Sequence, residues 1–182
     1  MTIFTVGHST RSEDEFLGIL RAHGIRRLID VRRYPGSRRH PHFSRESLQR
    51  TLPAQGIAYE HAPALGGRRT PAPDSVNDAW RSASFRAYAD HLATQEFRDA
   101  LENVIAGAAD VPTAVMCAEA VPWRCHRQLI ADVLVARGYQ VENILSAERA
   151  DPHRLNAHAR VGLDGSVTYP AAPEDDEQAS LF

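Results

Sequence analysis

The chain has 182 residues, is 43% hydrophobic and carries a formal net charge of −2. That length suits one well-buried domain plus a tail, and the near-neutral balance excludes a global basic field for polyanions. All 21 basic residues are arginine, which excludes Schiff-base catalysis and a Walker-type phosphate lysine.

Residues 3–6 form an apolar strand pattern ending at Gly7-His8-Ser9. Ser12 and Glu15 give a capping-box signal, and Phe16, Leu17 and Leu20 make a helical face closed by Gly24. Residues 28–31 read as a short buried strand. A helix is expected over 44–52, stopped by Pro53, with a turn at Gly56 and a third strand over 57–60. Residues 66–73 read as loop, and 84–105 as helical with a break near Thr94. An apolar run over 113–116 leads into a loop bracketed by Cys117 and Cys125, then a helix ending at Gly138. Residues 141–145 form a last strand, and Asp164-Gly165 a turn before 167–169.

Strands alternating with helices predict a three-layer Rossmann-like α/β domain over 1–170 with a mainly parallel sheet. Residues 171–182, rich in Pro, Ala and acids, are expected to be a disordered tail. The chain shows no secretory pattern and no apolar stretch of membrane-spanning length, so a cytoplasmic chain with reduced thiols and no membrane partner is expected.

In such folds ligands bind outside the carboxyl ends of the strands. Three strand ends carry polar groups: His8-Ser9, Asp30 to Arg32, and Cys117 to Glu119. In the cysteine loop, Cys125 or Cys117 would be a thiolate nucleophile, its pKa lowered by a helix N-terminus, Arg124, Arg127 and His126. Cys125-His126-Arg127 is the preferred position, because Cys117 also reads as a small core residue ending a buried strand. Glu119, Asp30 and His8 are candidate acid–base groups. The spacing resembles the cysteine-phosphatase loop, but six residues rather than five separate Cys117 from Arg124, and the loop holds Pro122 and Trp123 in place of glycines. Two other readings stay open. One is a Cys117–Cys125 redox pair. The other is a zinc site from Cys117, Cys125, His126 and His8, against which stand the missing C-x-x-C pair and the adjacency of Cys125 and His126.

Residues 26–50 hold eight arginines opposed only by Asp30 and Glu46, with Tyr34, His40, His42 and Phe43 interleaved. This suits phosphate contacts and base stacking, and equally a solvated arginine-rich loop. Ser9, Arg32, Ser37, Arg124 and Arg127 are the candidate anion-binding residues, Arg32 as a fixed clamp if buried. The terminal pentapeptide is similar to the segment by which many bacterial replication and repair proteins bind the sliding clamp. Gln178, Ser180, Leu181 and Phe182 match, and Ala179 departs where leucine is usual. Leu181 and Phe182 would fill an apolar pocket on that clamp.

Several motifs in order carry a family resemblance: Thr5-Val-Gly-His-Ser9, Asp30-Val-Arg32 with Pro35 and Ser37, Leu65-Gly-Gly67, Cys117-Ala-Glu119, Cys125-His-Arg127, and Gly165 through Tyr169-Pro170. Together they resemble the family catalogued as domain of unknown function 488. The resemblance implies a Rossmann-like α/β domain and no particular reaction. The residues themselves lead to the expectation of an enzyme acting on a phosphate-bearing substrate, a nucleotide or nucleic acid, recruited to DNA in repair or replication by the clamp-like tail. No cofactor is expected beyond the zinc alternative. A non-catalytic DNA-associated binding module using the same arginines is the alternative function.

Overall fold

The computed structural model describes residues 1–36 and 39–171. Ser37, the acidic tail from 172 and the terminal pentapeptide lie outside the described residues.

Six strands form one sheet: β1 (Thr2–Gly7), β2 (Arg27–Asp30), β3 (Ala58–His61), β4 (Thr113–Cys117), β5 (Gln140–Ile144) and β6 (Ala150–Pro152), in the order β3-β2-β4-β1-β5-β6. The first five run parallel and β6 is antiparallel to β5. All five residues of β4 are buried, as a strand covered on both faces requires. Alternate side chains feed two cores. Ala114 and Met116 pack with Leu28 against α1 (Glu13–Ala22) and α2 (Arg45–Ala54). Val115 and Cys117 pack with Ile29 against α3 (Ala83–His91), α4 (Gln95–Asp110) and α5 (Arg127–Ala136). The fold is thus three-layered α/β. Among the described residues no helix is long and apolar enough to cross a membrane.

Local signals explain the helix ends. The Ser12 hydroxyl accepts from the Glu15 N–H at 3.2 Å, and Thr94 caps α4 by accepting from the Phe97 N–H at 3.2 Å. Pro53 does not stop α2, which runs on to Ala54. A proline in the last turn forfeits one N–H. The end is still held by Gly56 N–H to the Pro53 carbonyl and Ile57 N–H to the Leu52 carbonyl, both 3.0 Å. Past β6, a hairpin of β7 (Arg160–Val161) and β8 (Val167–Thr168) turns through Asp164-Gly165 and delivers Tyr169 to the core.

The sheet order places the site. β1 and β4 are neighbours, but the chain leaves β1 for α1 on one face and β4 for α5 on the other. That divergence opens a crevice beyond the strand ends. Gly7 is in register with Cys117, and Asp30 with Met116, so the three polar strand ends are level.

Candidate active site

The β1 and β4 ends are held closely. His8 N–H donates to the Cys117 carbonyl at 3.0 Å and Ser9 N–H to the Ala118 carbonyl at 2.9 Å, with Ser9 at φ 53°. The loop then folds back over Gly7. A Cβ there would lie 1.7 Å from the Glu119 carbonyl oxygen and 2.7 Å from Arg127 Nη1. Only glycine admits this approach, which explains the Gly7-His8 pair at the strand end.

Beyond the loop a single 3-10 turn, Pro122–Arg124, returns the chain so that Cys125 meets Cys117. Cys125 Sγ donates to Cys117 Sγ at 2.7 Å. Both thiols are free and buried. Arg127 is fully buried, with Nη1 3.5 Å from Cys117 Sγ and Nη2 donating to the Ala120 carbonyl at 2.9 Å, while its Nε has no partner. No carboxylate among the described residues pairs with it. Burial opposes ionisation of Cys117. The Cys125 S–H, the Arg127 charge and a Glu119 backbone bond prevail and hold its thiol below the ordinary value. Donation to Cys117, then burial and the charge on Cys117, push Cys125 well above it. Cys117 is therefore the more acidic thiol and Cys125 the less acidic, whereas the sequence favoured Cys125-His126-Arg127 as the reactive position. The reason is that Arg127 packs beneath Cys117.

His126 caps the start of α5 with Nδ1 3.6 Å from Cys125 Sγ. Burial and the Arg127 charge lower its pKa to about 4, the Val31 carbonyl acting in the opposite direction, so the ring is neutral. Its buried Nε2 makes no well-aligned hydrogen bond among the described residues, so any contact with the Val31 carbonyl is weak. Tyr88, whose hydroxyl donates to the Leu65 carbonyl at 2.7 Å, packs on the ring at 4.8 Å.

Asp30, Arg32 and His8 form a separate closed network. Asp30 is fully buried. Its Oδ1 accepts from Arg32 Nε at 2.8 Å, and its Oδ2 from Arg32 Nη2 at 2.6 Å and from the Tyr59 hydroxyl at 2.8 Å. Arg32 Nη2 also donates to the Phe43 carbonyl, and Nη1 to His8 Nε2 at 3.0 Å. His8 Nδ1 in turn donates to the Ser9 carbonyl at 2.9 Å, which sets its tautomer. Burial and Arg32 lower the His8 pKa to about 4. Arg32 is thus an arginine already neutralised by its own carboxylate, and both nitrogens of His8 are engaged.

Cys117 and Cys125 lie on the floor of a cavity of about 320 Å³, which His126, Glu119, Arg32 and Arg124 also line. Asp30, His8, Ser9 and Arg127 lie outside its lining. Arg33 and Arg68 join Arg124 at the mouth, and none of the three has a carboxylate partner among the described residues. Arg68, at φ 61°, lies over the exposed Tyr34 ring at 5.8 Å. Sequence reasoning missed Tyr88 and the role of Arg33 and Arg68. The Leu65-Gly66-Gly67 segment was their one signal, because Gly67 lies against the His126 ring. Among the described residues no group of three or more His, Cys, Asp and Glu side chains is disposed to hold a metal ion. Of the four residues of the zinc reading, His8 is committed to Arg32.

The model of the family described as Domain of unknown function DUF488 matches residues 12–134, about two thirds of the chain. The chain belongs to this family. The DUF488 match takes in the Asp30–Arg32 pair, both cysteines, His126 and Arg127. No match was found among the curated proteins or among the solved structures.

Proposed function

We propose that this DUF488 protein is an enzyme that turns the Cys117 thiolate on a phosphate-bearing substrate, a nucleotide or nucleic acid. One observation carries the reading. A cysteine sulfur backed by a fully buried arginine, which favours its ionised form, lies at the floor of a cavity whose mouth holds three arginines without carboxylate partners among the described residues. Arg33, Arg68 and Arg124 would draw in the anion. Cys117 Sγ would form a bond to the electrophilic centre as the bond to the leaving oxygen breaks. Glu119, exposed in the cavity lining, would exchange a proton with the leaving oxygen. Water would then cleave the covalent intermediate and restore the thiolate. The non-catalytic alternative leaves the thiolate without a use, so turnover separates the two. The test is a panel of phosphomonoesters, nucleotides and oligonucleotides, assayed with wild type and Cys117→Ser. Turnover lost in a folded Cys117→Ser supports the reading; a wild type inert on the whole panel, or an active variant, overturns it.

Recruitment to DNA rests on the terminal pentapeptide alone. Four of its five positions match the clamp-binding pattern, and it follows an acidic, proline-bearing stretch. Deleting residues 178–182 should abolish pull-down by a bacterial sliding clamp, and unchanged pull-down would sink this part of the proposal.

A further inference from the structure

Nucleophilic attack at phosphorus or carbon needs one sulfur, and this cavity holds two. Cys125 makes no contact that such a step requires beyond donating its S–H to Cys117. It does stand where a second sulfur must stand to attack an oxidised first one. We propose that Cys117 and Cys125 form a reversible oxidation site, in which a peroxide entering the cavity oxidises Cys117 and Cys125 then closes an intramolecular disulfide on it. The disulfide rests on the thiol geometry alone. Its consequence, an enzyme switched off by loss of its nucleophile, rests on the function proposed above.

The steps balance. Cys117 S⁻ attacks one oxygen of hydrogen peroxide; the O–O bond breaks, the sulfur becomes a sulfenic acid and hydroxide leaves. Cys125 Sγ then attacks the Cys117 sulfur. The S–S bond forms, the S–O bond breaks, and the hydroxyl departs as water with the Cys125 proton. In sum, two thiols give up two electrons and two protons, and the peroxide becomes two waters. Closure asks little of the fold. The two sulfurs are in direct contact in the reduced chain, so disulfide length is reached by side-chain adjustment alone. The two cysteines are joined by a loop and a single 3-10 turn rather than by separate layers of the core.

The same surroundings make the bond easy to reverse. In the reduced state Arg127 faces Cys117 Sγ, a sulfur that can ionise beside it. Oxidation removes that capacity and leaves a fully buried guanidinium, its Nε unpartnered among the described residues, facing a disulfide that cannot carry a charge. A reduced form favoured in this way makes a disulfide readily reducible, as is usual for regulatory rather than structural bonds.

Trypsin reads the state directly. Cleavage at Arg98, Arg124 and Arg127 puts Cys117 in peptide 99–124 and Cys125 in peptide 125–127. The full chain is treated with a slight excess of hydrogen peroxide, denatured, alkylated and digested, with glutathione in a parallel tube as the control thiol. We expect both cysteines to be lost to alkylation in parallel, peptides 99–124 and 125–127 to appear linked within one chain, and reduced glutathione to restore both. Cys125→Ser should instead hold Cys117 as a sulfenic acid trapped by dimedone. Two alkylatable thiols remaining after the control thiol is consumed, or a sulfenic acid persisting in wild type, overturns the proposal. Should Cys125→Ser fail to fold, the linked wild-type peptide still decides. The readout needs no substrate: a chain that closes the disulfide but turns nothing over keeps this site and loses the proposed function. Equal turnover by oxidised and reduced chains would overturn the switch.

Discussion

Arg127 Nη1 lies 3.5 Å from Cys117 Sγ, and the two are unequal partners. The guanidinium cannot shed its proton, whereas the sulfur can take one back. Removing either side therefore has different costs. Arg127→Met leaves a thiol that reprotonates, so stability should fall by only about 1–2 kcal/mol, while the alkylation pH midpoint of Cys117 climbs toward an ordinary thiol. Cys117→Ser leaves a buried cation with no anion, and should cost about 3–5 kcal/mol. Urea unfolding of both variants, with iodoacetamide rates across pH for Arg127→Met, checks the ordering. Equal losses would mean that Cys117 is a neutral thiol at rest.

His8 and His126 set an acid limit on the fold. Both have pKa values near 4 in the folded chain against 6.5 unfolded, through burial and then a neighbouring arginine. Between pH 6.5 and 4 the unfolded chain binds protons that these rings refuse. Their stabilising effect is therefore full above pH 6.5 and lost as pH falls toward 4. For His8, which is 4% exposed, the drop from 6.5 to about 4 corresponds to about 3 kcal/mol. Urea midpoints should fall steadily from pH 7 to pH 4.5. An imidazole of His8 that titrates near 6.5 by NMR would refute this account.

What was legible from sequence was mostly local. Ser12 and Thr94 declare helix starts because a cap acts within three residues, and β4 declares itself because a strand covered on both faces must be apolar throughout. β6 was not legible: three residues, Ala150–Pro152, include an acid and a proline, and they join the sheet through their backbone. At the site, the pairing of Asp30 with Arg32 follows from alternation, since residues two apart on extended chain share a side. The fates of Arg124 and Arg127 do not follow. Both flank Cys125 as equals in sequence, yet packing sends one to the rim and the other beneath Cys117. The acidity order of the two thiols depends on that choice.

Gly7 separates crowding from mere backbone freedom. An alanine Cβ there would meet the Glu119 carbonyl at 1.7 Å, and that obstacle is main chain that cannot swing aside. Gly7→Ala should destabilise by about 1–3 kcal/mol or more and displace the loop over Cys117. Gly18, inside α1, has nothing within 4 Å of the same atom. Gly18→Ala should stabilise by about 0.5–1 kcal/mol. Thermal melts of the two variants should move in opposite directions, and a Gly7→Ala chain that melts with wild type would contradict the close approach.

Tyr169 braces α5 from the far side of the site. Its hydroxyl donates to Asp132 Oδ2 at 2.7 Å, while Oδ1 accepts from His153 Nε2 at 2.9 Å and from the Asn156 N–H at 3.0 Å. Asp132 is fully buried, so each donor matters. Tyr169→Phe keeps the ring against Trp80 and removes one donor from the carboxylate. We expect a loss of about 1–3 kcal/mol in urea unfolding. The Cys117 alkylation profile should stay as in wild type, because Arg127 and Cys125 are untouched. A shifted profile would mean that α5 is positioned at its N-terminus by this distant bond, and not by the contacts around Cys117.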